Sequence, residues 1–254
     1  DFGLDLAASY TFTQSKSLCP ATSSQAASNW NNTSTYRFSN APELGYSAYN
    51  LPHMIKASAF YRFHIANNKN ITTTIGVIYQ GRSGSPYSML YSGDLNGDNG
   101  RGNDLMFIPT DEQIDLMPFK AQGNYTEELQ RQNLKAWLAK TPYLKDHRGE
   151  YFKRNADNLP FENHFDFHVA EKMSVKVGKQ VHSLELSLDI LNVGNLLNKD
   201  WGRTYGTTYS NELISPLTYD GGKFQFLSTP DYVIKYPQSY YSRWRGQLGL
   251  KYTF

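Results

Sequence analysis

Residues 163–192 read NHFDFHVAEKMSVKVGKQVHSLELSLDILN, and this stretch decides the fold. Phe165, Phe167, Val169, Met173, Val175 and Val177 alternate with Asp166, His168, Lys172 and Lys176. After the polar turn Gly178-Lys179-Gln180, Leu184, Leu186, Leu188 and Ile190 alternate with Glu185, Ser187 and Asp189. Apolar–polar alternation with period two marks strands that present one apolar and one polar face. Two such strands across a tight turn form an antiparallel hairpin.

The same pattern recurs at 2–12, 53–65, 71–81 and 242–254, giving six expected strands near 2–12, 53–65, 71–81, 163–177, 181–192 and 242–254. The connections alternate in length. Asn67–Asn70 and Gly178–Gln180 are tight turns, whereas 13–50, 82–162 and 193–241 are long and rich in Gly, Asn, Ser, Tyr and Pro. Long irregular loops are uncommon in compact soluble domains. Short turns on one rim and long loops on the other are the plan of an outer-membrane barrel. One helix is expected near 125–140, with Asn124 as its cap, Glu127 three residues on, and a stripe of Leu129, Leu134, Trp137 and Leu138.

Composition narrows the class. The 254 residues carry 25 Lys+Arg against 23 Asp+Glu, a net charge of +2, which lacks the basic footprint of a nucleic-acid binder. The single cysteine, Cys19, excludes an internal disulfide, a Cys-based zinc site and a CxxC pair, and reads as an unpaired exposed thiol. No apolar run approaches the ~20 residues of a spanning helix. Strands of ~10 alternating residues escape that test. The polar faces mix Asp, Glu, Lys, Arg and His, as a hydrated lumen requires. Aromatics such as Tyr10, Phe12, Tyr61, Phe63, Tyr79, Trp244, Tyr252 and Phe254 gather towards strand ends, as interfacial girdles do. The expected fold is therefore all-β, an antiparallel transmembrane β-barrel segment. Six strands are too few to close a barrel, since single-chain barrels begin at about eight. The chain opens inside a strand without a signal sequence, so a fragment of a larger barrel is expected.

The segment PYSMLYSGDLNGDNGRGNDLMFIP (86–109) resembles the C-terminal barrel region of TonB-dependent outer-membrane receptors of the Bacteroidetes type, Oar-like, whose full chains begin with a carboxypeptidase-regulatory-like domain. His147-Arg148-Gly149, Arg154-Asn155, Pro160, Asp166 and LDILNVGNLLNKDWG (188–202) agree with that group, as does the terminal aromatic. The resemblance implies a 22-stranded barrel, of which this chain supplies the last six strands, with a plug domain and the TonB system as partners and substrate uptake as the function. It places the short turns in the periplasm and the long loops outside the cell. Outer-membrane lipid, the rest of the barrel and the barrel-assembly machinery are the further partners implied. A surface lipoprotein lid belongs to some such receptors, but the aromatic-Ser-Gly-Tyr-Asp-Pro run of SusC-like glycan importers is missing here, as are plug and TonB-contact segments.

Candidate sites follow from residue chemistry. Asp94, Asn96 and Asp98 stand at alternate positions before Gly100, as in calcium loops, with Asn103 or Asp104 to complete the set. Asn99 and Leu105 at the sixth and twelfth positions exclude an EF-hand, and an Asx-turn loop without a metal is the alternative. Tyr205, Tyr209, Tyr219 and Tyr232, with Tyr236, Tyr240 and Tyr241, are candidates to stack on a substrate or to pack on one another. Leu250, Tyr252 and Phe254 form a terminal apolar edge of the kind assembly machinery reads. His164 and His168 on one strand face stand about 13 Å apart, too far to share a metal. Asp166, Glu185 and Asp189 are expected to line the lumen, no catalytic motif occurs, and a non-enzyme is expected. Besides the receptor, an outer-membrane adhesion or assembly component on the same barrel and a soluble calcium-binding β-sandwich fit the pattern.

Overall fold

A computed structural model describes residues 2–100, 102–207, 212–227 and 236–254. The protein is all-β, with most of its strands in antiparallel sheets and little helix. Among the described residues, six long strands form one sheet: β1 (Leu4–Phe12), β2 (His53–His64), β3 (Ile71–Arg82), β4 (Glu162–Val177), β5 (Gln180–Leu191) and β6 (Arg245–Thr253). Each strand pairs antiparallel with its neighbour in sequence, so the sheet is a meander with β1 and β6 as open edges. The sheet does not close on itself.

Five strands lie where the alternation puts them, to within two residues. β6 begins three residues late because Ser239–Ser242 is a helical turn. The β4–β5 turn holds Gly178 at φ +63, a conformation that glycine takes without a Cβ penalty. The β2–β3 connection coils through Ile65–Asn67, with Ala66 at φ +49.

Register makes the apolar face continuous. One row runs Leu6, Ala59, Val77, Phe167, Ile190, and the next Leu4, Tyr61, Ile75, Val169, Leu188, Leu248. A third runs Phe63, Thr73, Glu171, Leu186, Leu250, where Glu171 accepts a 2.5 Å hydrogen bond from the Thr73 hydroxyl. The opposite face carries the ion pairs Arg62–Asp5 at 3.6 Å, His168–Asp189 at 2.6 Å and Arg82–Glu162 at 2.8 Å.

The hydrophobic core is not in this sheet. It is built from the long loops: Met89, Met106, Phe119, Leu134, Phe152 and Phe226 are each 1% exposed or less. By contrast Leu186, Leu248 and Leu250 on the apolar face are 54, 76 and 73% exposed. The loop core rests on strand Pro86–Ser92, which pairs parallel with Glu212–Asp220 and antiparallel with Asp157–Asn158. The expected helix spans Glu127–Lys140, and Leu134, Trp137 and Leu138 enter the core. Two details are corrected. The cap is Thr126, whose hydroxyl accepts from the Leu129 N–H at 3.1 Å, which puts Glu127 and Glu128 in the first turn, where the helix dipole favours acids. Leu129 faces outward, and its expected place is taken by Gln130, which is buried because its amide donates to the Lys120 and Tyr125 carbonyls and accepts from Phe226 N–H.

Candidate functional site

The Asp/Asn loop leaves strand Pro86–Ser92 and folds back over its own carboxylates. Asp94 accepts from the N–H groups of Gly97 (2.7 Å) and Asn99 (3.0 Å), and Asn96 Oδ1 from Asp98 N–H (2.9 Å). Asp98 accepts from Gly100 N–H at 2.8 Å on one oxygen, and from the Ser39 N–H and hydroxyl at 3.0 and 2.9 Å on the other. Asp104 accepts from Leu95 N–H at 2.6 Å. The loop is thereby tied to the first connection, where Thr35 N–H also donates to the Asn103 carbonyl and Leu105 N–H to that of Thr35.

Burial acts differently on the two inner acids. It raises Asp98, but the Ser39 and Gly100 donors outweigh it, so that carboxyl titrates below the ordinary range. Asp104 is 3% exposed, and there burial prevails over the Leu95 and Asn96 N–H groups, with Asp98 and Asp94 adding repulsion, so its pKa is raised. Within this loop two buried oxygens have no hydrogen-bond partner, Asp104 Oδ1 and Asn103 Oδ1. Among the described residues, no three His, Cys, Asp or Glu side chains are grouped as metal ligands. The loop does not gather Asp94, Asn96, Asp98 and Asp104 into such a centre.

Among the described residues, the loop tyrosines do not converge. Tyr209 and Tyr232 lie outside the described residues, as does the side chain of Tyr236. Tyr219 packs on Phe224 at 5.1 Å, and Tyr240 meets Tyr241 edge-on at 5.2 Å. Tyr205 lines a shallow groove with Phe161, Phe165, Trp201 and Arg203. Tyr219 and Tyr241 thus show aromatic packing, and Tyr240 also accepts from the Arg245 guanidinium at 3.2 Å.

A larger concavity, of about 560 Å³, lies between the first connection and the segment after the helix, where sequence reasoning placed nothing. Tyr36 and Tyr151 stack on its wall with ring centroids 4.6 Å apart. Lys16, Glu43 and Lys153 supply charges, and the hydrogen bond to Glu43 raises the Tyr36 pKa. Its floor is set by Arg154, 7% exposed, which donates to the carbonyls of Leu18 (2.7 Å), Glu43 (3.1 Å) and Ser17. Aromatic faces beside both signs of charge suit a polar ligand with a flat apolar side. The residues come from positions over a hundred apart, and no local motif joins them.

Several residues of the resemblance prove to be ties, between loop and sheet for Asp166, between connections for Asn155 and within one connection for Arg148. Asp166 accepts from Asn192 N–H at 2.7 Å, and Asn192, at φ +54, donates to the carbonyls of Gly202 (2.9 Å) and Ser242 (3.0 Å). Asn155 donates to Tyr46 carbonyl at 3.0 Å. Arg148 pairs with Asp111. His164 and His168 have separate partners, Thr204 and Asp189. Cys19 is half-buried rather than exposed, and accepts from the Thr33 hydroxyl at 3.2 Å.

At the terminal strand, Leu250, Tyr252 and Phe254 all project from the apolar face, 73, 58 and 80% exposed, with the Tyr252 hydroxyl 2.7 Å from His182 Nδ1. β6 pairs with β5 along one side, and its other side is an open edge. No protein-family model, no curated protein and no solved structure matches this chain.

Proposed function

We propose that this chain is a wall segment of an outer-membrane β-barrel, the C-terminal part of a TonB-dependent receptor that takes up a substrate across the outer membrane. The observation that carries the reading is the separation of two apolar surfaces. The loops bury a core of their own, while the apolar face of the six strands is left bare. A soluble monomer seldom leaves an apolar patch of more than a few hundred Å² uncovered. Lipid covers such a face at no desolvation cost, and the charged face then borders a hydrated lumen. No helix among the described residues is long and apolar enough to cross a membrane, so crossing falls to the strands. The open edges of β1 and β6 are where further strands continue the wall. In this reading the loop cavity faces the cell exterior and meets the substrate first.

Fractionation of cells expressing the parent protein tests the membrane claim. It is expected in the outer membrane, resistant to salt and carbonate washes and released by detergent. Recovery in the aqueous fraction overturns the barrel. The receptor claim is tested by the parent gene: fewer than about sixteen additional strands, or no plug, removes it.

A further inference from the structure

The concavity walled by Tyr36 and Tyr151 carries a charge that is not matched. Lys16 and Tyr46 stand opposite each other on a short antiparallel ribbon, Lys16–Ser17 against Gly45–Tyr46. Arg154 holds that ribbon through the Ser17 and Glu43 carbonyls, so the fold sets where Lys16 stands. The two acids of the lining are engaged, Glu43 with Arg37 at 3.5 Å and Glu150 with Lys153 at 3.8 Å. Among the described residues no ion pair joins Lys16, whose ammonium lies 5.3 Å from the centre of the Tyr46 ring. Much of the remaining lining is apolar: Leu105 and Phe152 are buried, while Leu44 and Tyr151 keep open surface. The aliphatic hydroxyls belong to Ser34 and Thr35, both buried, and Thr35 Oγ1 already accepts from Arg37 N–H at 3.2 Å. No Asn, Asp, Gln or His stands among the described lining residues. Reading the hydroxyls of a sugar needs several such polar groups converging on the ligand. This lining offers flat apolar surface and, in Lys16, an ammonium without an acid.

We propose that this cavity binds a small aromatic monocarboxylate, with the carboxylate on the Lys16 ammonium and the ring against Tyr151 and Leu44. A hydrogen bond between ammonium and carboxylate is charge-assisted, and aromatic rings meet favourably when offset or edge-on. Glu43 and Glu150 line the same cavity and repel a second negative charge, which disfavours phosphates and dicarboxylates. A volume of about 560 Å³ lies within the range of small-molecule sites. That this ligand is the substrate taken up rests on the receptor reading; that it binds does not.

Calorimetry on the whole parent protein in detergent, with naphthoate as the probe, tests the binding. One saturable site is expected, with Kd of about 10⁻³ M or tighter for a ligand of that size. Naphthamide, the neutral isostere, and glucuronate, a carboxylate on a sugar ring, should each bind at least about fivefold more weakly. Lys16→Met keeps the apolar stem and removes the charge. It should weaken naphthoate at least about fivefold and leave naphthamide unchanged, and Lys16→Arg should restore most of the loss. Lys69→Met, in the β2–β3 turn, should bind as the parent does. Absence of saturable naphthoate binding overturns the proposal, as does equal affinity for naphthamide or glucuronate. Unchanged naphthoate affinity in Lys16→Met overturns it too. A parent protein that is recovered in the aqueous fraction and still binds naphthoate keeps the site and loses only the role in uptake.

Discussion

The ring of Phe60 lies across Gly76 on the neighbouring strand, so close that a Cβ on the glycine would stand 2.3 Å from two of its ring carbons. The pair sits on the polar face, where the same ring meets His168 edge-on at 6.0 Å. A large ring here is possible because its partner has no side chain. Gly76→Ala should therefore cost about 1–3 kcal/mol through overpacking. In the Phe60→Leu background the cost should fall clearly, which a double-mutant cycle of denaturant unfolding measures.

Leu186 and Ser187 are adjacent in β5 but project from opposite faces. Arg at Leu186 should cost about 2–4 kcal/mol in a bilayer, and Arg at Ser187 much less. Reversible folding of the complete barrel into lipid measures both. Equal costs would mean that the bare apolar face is not the lipid face.

Arg154 closes three carbonyls of the first connection. Arg154→Lys cannot reproduce that fork, and Arg154→Ala leaves the carbonyls of Ser17, Leu18 and Glu43 without it. The alanine variant should lose about 2–4 kcal/mol. Hydrogen exchange should speed up at residues 16–18 and 43–46 before it changes in β4.

Asp98 and Asp104 should respond to pH in opposite senses, in chelator, by melting temperature. The folded-state pKa of Asp104 is raised, so its benefit to the fold is complete below the unfolded value, about 3.9, and is lost as pH rises through the folded value. Asp104→Asn should then stabilise at neutral pH and be neutral in acid. Asp98 is depressed, so its contribution is present above the unfolded value and lost as pH falls through the folded one. Asp98→Asn should destabilise at neutral pH, with the difference shrinking in acid.

Deleting Phe254 separates two roles of the terminal strand. If the exposed edge with Leu250, Tyr252 and Phe254 is read by assembly machinery, the full-length parent should reach the outer membrane in reduced amount, with periplasmic degradation, while assembled molecules melt nearly as before. Normal assembly with a lowered Tm would make Phe254 a girdle aromatic and nothing more.

The six strands were legible because a one-sided sheet forces period-two alternation, as in Phe165, Phe167 and Val169. Strand Pro86–Ser92 was not, because both its faces are buried and PYSMLYS carries no period-two alternation. Its parallel partner, Glu212–Asp220, lies over a hundred residues away, and nothing local announces such a pairing. The helix was found by its stripe, but Thr126 and Asn124 are both good caps, and only geometry chooses between them. The acidic spacing pointed to Asp98. It could not show that the Ser39 N–H and hydroxyl are what hold that carboxylate, since Ser39 comes from another connection.

The unequal connections also set an order of events for the folding chain. Closing a loop of about eighty residues between β3 and β4 costs roughly 2 kcal/mol more entropy than closing the six or so between β2 and β3. The β2–β3 and β4–β5 hairpins are thus the cheap nuclei, and their meeting along the β3–β4 ladder waits on the long connection. The core around Met89, Phe119 and Phe226 shortens that connection by folding it on itself. A cavity-forming change such as Leu134→Ala would then slow the joining of the two hairpins from a distance, without touching a residue of either.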